Sequence, residues 1–411
     1  MPEKAPTREI EIPAAGARSE PAPRPKMRAA RLHRPGEPLS IDLVERPVAG
    51  PTDVVIQVKA CGVVPNMATV FNLPRLFNLA DLPADSPRLV TPNLPAILGL
   101  DAAGVIVERG SQVRGVELGD RVYVDPARYC GSCRPCRSGN GTACKYFLLN
   151  GYMGLGELSP HLFDDHPYGG FAEFMPAPQY SLVKLPDNLS FETAARWGYL
   201  GTSYAALRRA GVDMRSTVLI NGITGTLGLG AALFALALGA RKILGLGRNA
   251  QLLQRVRELC PDRIHVRPID GEESVRNWAR TLTEGDGVDV VVDALPTGAP
   301  PASFRAAFAA LARGGRHVNI GGVLQDVATN VLKLVNDSQT IMGSLWFTTA
   351  QGQEMAELAA NGSVKLDVFE HEVFALEEIN SALARIATRH GGFSNYVISP
   401  DPQALTERGR W

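Results

Sequence analysis

The pattern of apolar and polar residues along the chain changes character near residue 190. Before that point, apolar positions fall in short runs that prolines and polar loops separate, and alternation is clear at 54–58. Such runs are typical of strands with a buried face. The pattern predicts an all-β module, with short strands within 27–60 and further strands at 96–107, 120–124 and 171–185.

After residue 190, helical segments alternate with short, strongly apolar runs. Ser190 follows a turn at 186–188 and is a suitable N-cap for the first helix. Further helices are predicted at 229–238, 251–260, 272–283, 304–313, 355–361 and 376–388, and strands at 217–221, 242–246, 263–268, 288–295, 316–321, 340–345 and 395–398. The alternation predicts an α/β fold, in which a doubly wound parallel sheet carries helices on both faces.

Three glycines follow the apolar strand at 217–221. Gly222, Gly225 and Gly228 have G-x-x-G-x-x-G spacing, and a helix and a second apolar strand come next. In a dinucleotide-binding unit, the first glycine makes the tight turn and the middle one lets backbone N–H groups approach a pyrophosphate. The third glycine lets helix and strand pack closely. The alternative is a unit whose glycines serve packing alone, but the strand–helix–strand context favours a dinucleotide site.

The residues after the second strand indicate which dinucleotide binds. An NAD site usually has an acidic residue here for the ribose 2′-hydroxyl, whereas an NADP site has an arginine nearby for the 2′-phosphate. This chain has Gly247, Arg248 and Asn249 at that point. The sequence therefore predicts NADPH rather than NADH, with an ordinary surface arginine as the alternative.

Length, composition and charge exclude several classes of protein. The chain has 411 residues, of which 45% are hydrophobic and 20% charged, and this suits two globular domains. The formal net charge is zero and no apolar run reaches transmembrane length, so we expect neither nucleic acid nor a membrane as partner. Residues 1–26 are rich in proline, alanine and charge without an apolar signal, which predicts a flexible arm and a cytoplasmic protein.

Four of the six cysteines form one cluster in the sequence. Cys130, Cys133, Cys136 and Cys144 have the spacing C-x2-C-x2-C-x7-C. In a reducing compartment, such spacing favours a metal site over disulfides. Four thiolates without histidine make a closed tetrahedral shell, so the sequence predicts one structural zinc ion. Two disulfides or chance clustering are the alternatives.

Together these features resemble the medium-chain dehydrogenase/reductase superfamily, which includes alcohol dehydrogenases and quinone oxidoreductases. The resemblance covers about 27–400 and also rests on YGGFAEFMPAPQYSLVKLPDNLSFETAA, VDVVVDAL, GGRHVNIGG and EVFALEEINSALARI. It implies a GroES-like substrate domain at 27–190, a zinc lobe at about 128–146, a Rossmann NADP-binding domain at 191–345, and a return of 346–411 to the GroES-like domain. It also implies a homodimer joined through the edge strand at 340–345.

The chain departs from the zinc alcohol dehydrogenases of this superfamily at the catalytic zinc. Those enzymes usually have G-V-C-H and G-H-E motifs that supply two ligands, and a third ligand near a T-x-Y segment. The corresponding positions here are Val64, Leu100 and Gly198, while Asp101 replaces the glutamate. Cys61 alone would not hold the ion. The resemblance therefore implies a structural zinc without a catalytic one.

The loss of a catalytic zinc changes the expected chemistry. Without a Lewis acid, nothing lowers the pKa of a simple alcohol, whereas an activated acceptor can take hydride if its developing charge is hydrogen-bonded. We expect an NADPH-dependent oxidoreductase that reduces an activated double bond in an enone, quinone, carbonyl or iminium compound. The alternatives are an alcohol dehydrogenase that works without catalytic zinc and a non-catalytic nucleotide-binding protein.

The candidate site residues come from this chemistry and from the resemblance. Asn66 lies where the superfamily places residues near the substrate, and Tyr199 and Tyr204 are candidate proton donors, with packing roles as the alternative. Tyr152, His161 and His166 are further polar candidates on the insertion at 151–168. The predicted cofactor-binding residues are Thr202, Gly222, Gly225, Thr226, Leu227, Gly228, Arg248, Asn249, Ala294, Gly321, Leu345 and Trp346. Trp346 is equally well interpreted as ordinary core.

Two segments that flank the expected cleft are rich in aromatic residues. Phe71 and Phe77 lie in the loop at 67–93, and Tyr152 and Phe163 lie in the insertion. Because ligands of such architectures bind between the domains, these side chains predict a fairly large, apolar small-molecule substrate.

Overall fold

A computed structural model describes residues 24–67 and 89–406 of the chain. Most of the predicted arm, as well as Phe71 and Phe77, lies outside the described residues. Among those residues, no helix combines the length and the apolar character that crossing a membrane requires.

The first domain is built mainly from strands. They are β1 (Lys26–Leu32), β2 (Ser40–Glu45), β3 (Asp53–Gly62), β4 (Ala96–Ile97), β5 (Asp101–Arg109), β6 (Arg121–Val124), β7 (Ala127–Arg128), β8 (Leu148–Leu149), β9 (Met153–Gly154), β10 (Phe174–Pro178) and β11 (Leu182–Lys184). The short helices α1 (Arg134–Arg137), α2 (Ser159–Asp165) and α3 (Phe191–Ala194) interrupt or follow them. A three-stranded sheet has the order β2-β1-β4, and a second small sheet has the order β7-β8-β9.

The second domain alternates helices and strands. Its helices are α4 (Trp197–Arg209), α5 (Thr226–Ala237), α6 (Ala250–Glu258), α7 (Glu272–Leu282), α8 (Pro301–Phe308) and α9 (Val331–Asp337). Its strands are β12 (Thr217–Asn221), β13 (Lys242–Gly247), β14 (Ile264–Pro268), β15 (Val288–Asp293), β16 (Leu311–Asn319) and β17 (Thr340–Gly343). All six strands are parallel, in the order β14-β13-β12-β15-β16-β17.

The order of this sheet places a binding crevice at β12. From β12, the chain moves outward through β13 and β14 on one side, and through β15, β16 and β17 on the other. In open parallel sheets, ligands bind at the carboxyl ends of the strands, where the winding direction changes. The predicted α/β class with a doubly wound parallel sheet is confirmed.

The C-terminal segment returns to the first domain. Its elements are α10 (Thr349–Ala360), β18 (Glu370–Ala375), α11 (Ile379–Arg385), β19 (Ser394–Ser399) and α12 (Pro402–Thr406). The main sheet of the first domain has the order β11-β6-β5-β3-β19-β18. One edge of β3 is shared, because β10 pairs with its residues 53–57 and β19 pairs with 61–62. The chain therefore crosses between the domains twice, and the second crossing brings residues near 389–395 beside the crevice.

The apolar sequence of α5 explains its position against the central sheet. Nearly every side chain of this helix is buried, and Phe234 packs edge-on against Tyr204 of α4 at a ring distance of 5.0 Å. On the other face of the sheet, α7 buries only one stripe, which includes Val275 and Ala279. The two helices therefore cover opposite faces, as the sequence pattern predicts.

The structure differs from the predicted elements at several places. The helix expected at 304–313 ends at Phe308, because the chain from Leu311 already belongs to β16, where Leu311 pairs with Val288. Gly314 has φ +73° and lets the chain turn within this early part of the strand. Four helices, α1, α2, α9 and α12, lie where the sequence pattern predicted none.

Candidate active site

The turn after β12 has the backbone geometry of a phosphate-binding loop. Gly222 has φ +85°, which favours glycine, and a Cβ on Gly228 would lie 2.1 Å from the carbonyl oxygen of Gly222. Gly225 is the N-cap of α5, and a Cβ there would have only one neighbouring atom, at 3.3 Å. The first and third glycines thus allow the turn and the close packing, while the middle one leaves the helix N-terminus open to a ligand.

A cleft of about 1340 Å³ lies over this turn, between the two domains. Of the predicted cofactor-binding residues, eight line it: Gly222, Gly225, Thr226, Leu227, Arg248, Asn249, Ala294 and Gly321. Thr226 is buried, and its Oγ1 has no hydrogen-bond partner among the described residues. The open helix N-terminus at Gly225, the free hydroxyl and the volume of the cleft all fit a dinucleotide.

The other four predicted cofactor-binding residues lie outside the wall of this cleft. The Thr202 hydroxyl donates to the Gly198 carbonyl oxygen at 2.9 Å, and Gly228 packs beneath the turn. Leu345 is 47% exposed and lines a separate hollow beside the cysteine lobe. Trp346 is buried, and its Nε1 donates to Asp125 Oδ1 at 2.9 Å. Trp346 therefore joins the two domains, as a core residue does.

The end of β13 presents a cation and no acid to the cleft. Arg248 is exposed and makes no hydrogen bond or ion pair with the described residues. A Cβ on Gly247 would lie 2.9 Å from Leu253 Cδ2, so an acidic side chain at this position would displace its neighbours. Asn249 accepts the backbone N–H of Leu252 at 3.0 Å as the cap of α6. The environment at this end of the cleft suits an anionic group.

Two of the three predicted catalytic residues meet at the opposite end of the cleft. The Tyr199 hydroxyl donates a hydrogen bond of 2.7 Å to Asn66 Oδ1, and both residues line the cleft. Burial is the main cause that raises the pKa of Tyr199, and the charge of Asp101 adds to the shift. The phenol is therefore protonated at neutral pH, with its proton held at the mouth of the cleft.

The third predicted catalytic residue, Tyr204, lies away from the cleft. Its hydroxyl donates to Glu354 Oε2 at 2.7 Å and accepts from Arg208 Nη1 at 3.0 Å. Its ring packs on Phe234, and only 1% of the residue is exposed. These contacts place Tyr204 in the packing between α4 and α10 rather than at the cofactor cleft.

The polar candidates on the insertion also lie outside the wall of the cleft. The Tyr152 hydroxyl donates to the Asn66 carbonyl oxygen at 3.4 Å, so Tyr152 supports the backbone behind Asn66. Burial lowers the pKa of His166 to about 4, with nearby Arg128 acting in the same direction. His161 lies on α2.

The positions that correspond to catalytic zinc ligands carry no ligating side chain. Val64 and Leu100 are buried apolar residues with exposed fractions of 2% and 3%. The Gly198 N–H donates to Asp101 Oδ1 at 3.0 Å, and a Cβ on Gly198 would lie 2.3 Å from that oxygen. Asp101 therefore occupies space that a larger residue at 198 would need.

Asp101 is a buried carboxyl behind the cleft. Its Oδ1 accepts the Tyr123 hydroxyl at 2.8 Å as well as the Gly198 amide, while its Oδ2 has no partner. Burial raises the pKa of Asp101 to about 7 against the opposing hydrogen bonds from Tyr123 and Gly198 and the opposing charge of Arg196. Asp101 can therefore gain or lose a proton near neutral pH.

The four clustered cysteines form a compact group in the first domain. Their sulfur atoms all lie within 4.8 Å of one another. The Cys133 and Cys136 sulfurs are 3.4 Å apart, and the Cys144 and Cys130 sulfurs are 3.6 Å apart. Four thiolates around zinc at about 2.3 Å would be about 3.8 Å apart, so the cluster suits a structural zinc ion. Within 24–67 and 89–406, no other group of three or more such side chains is close enough to hold a metal.

Sequence reasoning missed Arg389, which lines the cleft from the returning C-terminal segment. The Gly392 N–H donates to the Thr224 carbonyl oxygen at 2.8 Å, which fixes this segment against the glycine turn. Arg389 Nη1 donates to the Ile386 carbonyl oxygen at 3.0 Å, and its Nε is buried without a partner. The position of Arg389 depends on the contact between Gly392 and Thr224, which are 168 residues apart in the sequence. No local motif indicates such a contact.

Comparison with known proteins agrees with this architecture. Residues 50–187 match the family model for the alcohol dehydrogenase GroES-like domain, and residues 226–361 match that for zinc-binding dehydrogenases. An alcohol dehydrogenase of Geobacillus stearothermophilus is 32% identical over 88% of this chain and 96% of the relative. An NAD-dependent alcohol dehydrogenase of Sulfolobus acidocaldarius is 30% identical over 87% of this chain and 95% of the relative.

A solved structure supports the same assignment. A thermostable alcohol dehydrogenase from Pyrobaculum aerophilum superposes with a TM-score of 0.70 at 26% identity, covering 91% of this chain and 100% of the other. With both family models matched along the chain, the protein is an oxidoreductase that belongs to the medium-chain dehydrogenase/reductase superfamily, among the zinc-binding dehydrogenases with a GroES-like domain.

Proposed function

We propose that the protein is an NADPH-dependent reductase that transfers hydride to an activated C=C, C=O or C=N bond without a catalytic zinc. One observation carries the proposal: Val64, Leu100 and Gly198 offer no ligand, and Asp101 fills the space beside Gly198. An alcohol bound in this cleft would meet no Lewis acid to lower its pKa. Reduction of an acceptor that is already polarised does not require a Lewis acid, because hydrogen bonds can stabilise the charge that develops.

Residues of the protein would supply the proton and would orient the proton donor. A bound nicotinamide cofactor would supply the hydride. Tyr199 would donate its phenolic proton to the acceptor atom that gains negative charge, and its present hydrogen bond to Asn66 Oδ1 holds the hydroxyl at the cleft. Asn66 is thereby assigned as the residue that orients Tyr199.

The preference for NADPH rests on Arg248. Its guanidinium is exposed at the end of β13 without an ion-pair partner among the described residues, and a 2′-phosphate would give it one. Gly247 has no carboxylate that would repel this phosphate. The similarity to an NAD-dependent relative makes NADH the competing cofactor.

The substrate and the assembly state are part of the same proposal. We propose an apolar small-molecule substrate from the sequence pattern alone, because Tyr152 and Phe163 of the insertion are buried in the first domain and do not line the cleft. We also propose a homodimer, because the edge strand β17 carries Ile341 with 39% exposure and α9 carries Val331, Leu332 and Val335 with 69%, 67% and 69% exposure. A second copy of the chain would cover this apolar face.

A cytoplasmic location would keep the cysteine cluster reduced.

The first test is elemental analysis of the purified protein together with binding of NADPH and NADH. We expect one zinc ion per chain, tighter binding of NADPH, and oxidation of NADPH by members of a panel of enones, quinones and cyclic imines. Two zinc ions per chain, or NADH binding at least as tight, would contradict the corresponding part of the proposal. Binding of NADPH without turnover of any acceptor would indicate a non-catalytic nucleotide-binding protein.

An alcohol dehydrogenase without catalytic zinc is the second candidate, and the names of the relatives favour it. It would need a side-chain base for the alcohol proton, and Asp101 is a carboxyl with a suitable pKa of about 7. Oxidation of alcohols by NADP⁺, with no reduction of enones or quinones, would favour this candidate.

A further inference from the structure

A small, partly open cavity borders the cofactor cleft. Its volume is about 20 Å³, which is enough for one water molecule. Four residues line both this cavity and the cleft: Pro65, Tyr199, Thr226 and Arg389. Asp101 and Arg196 line only the cavity. Tyr199 therefore borders both the cavity that Asp101 lines and the cleft where the substrate would bind.

Several polar atoms around the cavity lack partners. Asp101 Oδ2, Thr226 Oγ1 and Arg196 Nε are all buried, and none of them has a hydrogen bond to the described residues. Buried polar groups are nearly always satisfied by protein or by ordered water. Arg389 Nε is also buried without a partner, so four such atoms belong to residues that line one cavity with room for one water, and they point to a water molecule bound there.

We propose that this water connects the carboxyl group of Asp101 to the Tyr199 hydroxyl, so that Asp101 is the proton reservoir for the reduction at the cleft. This inference rests on the proposed function, because it refills the donor named there. Tyr199 gives its proton to the acceptor atom that becomes negative, and the resulting phenolate takes a proton from the water. The water takes the carboxyl proton of Asp101, and the carboxylate is reprotonated from solvent before the next turnover. One hydride, which carries both electrons, enters from the cofactor, and one proton enters along this path.

The surroundings of Asp101 suit a group that changes its protonation state. Tyr123 on β6 and the Gly198 amide of α4 bind one oxygen, and Arg196 and Tyr199 are close enough to interact electrostatically with the carboxyl group. Cys61 of β3 and Asp125 after β6 complete the nearby titratable groups. Arg196 favours the carboxylate, whereas burial and Asp125 favour the acid. These opposing effects allow both forms near neutral pH.

An infrared titration tests the reservoir without any turnover. A protonated carboxyl band should decrease as the pH rises through about 7, which is the pKa at which burial places Asp101. We expect Asp101→Asn to remove this band and Asp125→Asn to retain it. Asp125 is a matched control because it is also a buried carboxyl, but both of its oxygens accept hydrogen bonds, from Trp346 and Thr349, and it does not line the cavity. The buried carboxyl of Asp293, whose pKa burial raises to about 6, titrates in both proteins. A band that titrates near pH 7 with the same amplitude in Asp101→Asn as in the wild type would overturn the proposal.

Steady-state reduction of an acceptor found in the substrate panel gives the second readout. Asp101→Asn should lower kcat by roughly 100-fold, remove the loss of kcat above neutral pH, and change the KM for NADPH by less than about 2-fold. Asp125→Asn should keep the pH profile of the wild type. Unchanged kcat and an unchanged pH profile in Asp101→Asn would overturn the proposal.

Two further outcomes are distinguishable. If Asp101→Asn does not fold, Tyr199→Phe removes one hydroxyl from the same path, and an unchanged kcat in that variant would overturn the proposal. If the wild type reduces no acceptor, the proposed function fails, and the infrared titration alone then decides whether Asp101 stores a proton.

Discussion

The Tyr199 hydroxyl donates a hydrogen bond of 2.7 Å to Asn66 Oδ1 across the boundary between the two domains. Asn66 follows β3 in the first domain, whereas Tyr199 lies in the first turn of α4. The hydrogen bond therefore depends on the relative position of the two domains. Any acceptor atom that takes the proton from Tyr199 must replace Asn66 as its partner.

Replacement of Asn66 by alanine should weaken catalysis while cofactor binding is retained. Loss of one neutral hydrogen bond corresponds to about 1 kcal/mol, so we expect kcat to fall by roughly fivefold because the Tyr199 hydroxyl loses its orientation. Steady-state kinetics measure kcat, and fluorescence titration measures the Kd for NADPH. Asn93→Ala is the matched control, since the Asn93 amide bonds Asp164 at the surface. Equal effects of the two substitutions would contradict the role of Asn66.

Replacement of Arg248 by alanine should reduce the preference for NADPH over NADH. A charge-assisted hydrogen bond contributes about 1.5–3 kcal/mol, so the Kd for NADPH should rise by roughly 10- to 100-fold while the Kd for NADH stays nearly constant. Isothermal titration calorimetry with both cofactors measures the two values. Arg257→Ala removes another exposed arginine on the following helix and should change neither Kd. A parallel loss of affinity for both cofactors would place Arg248 elsewhere than at a 2′-phosphate.

Replacement of Cys136 by serine should remove the structural zinc and destabilise the first domain. Single substitutions that remove a structural metal are among the most destabilising ones. We therefore expect the free energy of unfolding to fall by roughly 3 kcal/mol or more. Elemental analysis and urea unfolding measure the two effects. Cys260→Ser changes a cysteine outside the cluster and should keep one zinc ion per chain. Zinc retained in full by Cys136→Ser would mean that Cys136 is not a ligand.

Replacement of Val335 by glutamate should convert a dimer to monomers. Val335 is 69% exposed on α9, so the change costs little within one chain, but it would bury a carboxylate in the proposed interface with a second copy. Sedimentation velocity measures the assembly state. Met214→Glu is the matched control, because Met214 is 76% exposed and lies outside α9 and β17. A wild type that sediments as a monomer would refute the dimer itself.

Local patterns in the sequence are sufficient to predict the architecture and the position of the glycine turn at 222–228. The G-x-x-G-x-x-G spacing located the turn because the positive φ of Gly222 and the contact of Gly228 with the Gly222 carbonyl oxygen are both local. The cysteine cluster was equally accessible, since all four ligands lie within 15 residues. The α/β class followed from the alternation of strands and helices, whose periodicities are local.

Contacts between distant segments could not be predicted in the same way. Arg389 reaches the cleft because the C-terminal segment docks on Thr224, and the partner of Tyr204 is Glu354, 150 residues away. The orientation of Trp346 likewise depends on Asp125 in the other domain. The sequence shows Asp101 only as the replacement of a glutamate, whereas its burial and its unpartnered oxygen are seen only in the structure.

Asp101 should make the stability of the wild type depend on pH in a way that Asp101→Asn lacks. Burial raises its pKa from 3.8 in the unfolded chain to about 7 in the folded protein, so the folded state holds the proton more tightly. Its contribution to stability is therefore complete below about pH 4 and is lost as the pH rises to about 7. Relative to the wild type, Asp101→Asn should gain free energy of unfolding across this window and show no further change above it.

Urea unfolding of both proteins between pH 4 and 9 measures this difference, and the pH dependence of all other groups cancels in it. Asp120 provides a control of opposite sign, because the Lys184 ammonium at 2.8 Å and the Glu117 amide lower the pKa of its carboxyl below 3.8. The contribution of Asp120 is present above that pKa and is lost as the pH falls through it, so the difference between Asp120→Asn and the wild type should stay constant from pH 5 to 9. A flat difference for Asp101→Asn over the same range would show that Asp101 is ionised in the folded protein throughout, and the carboxyl behind Tyr199 would then have no proton to give.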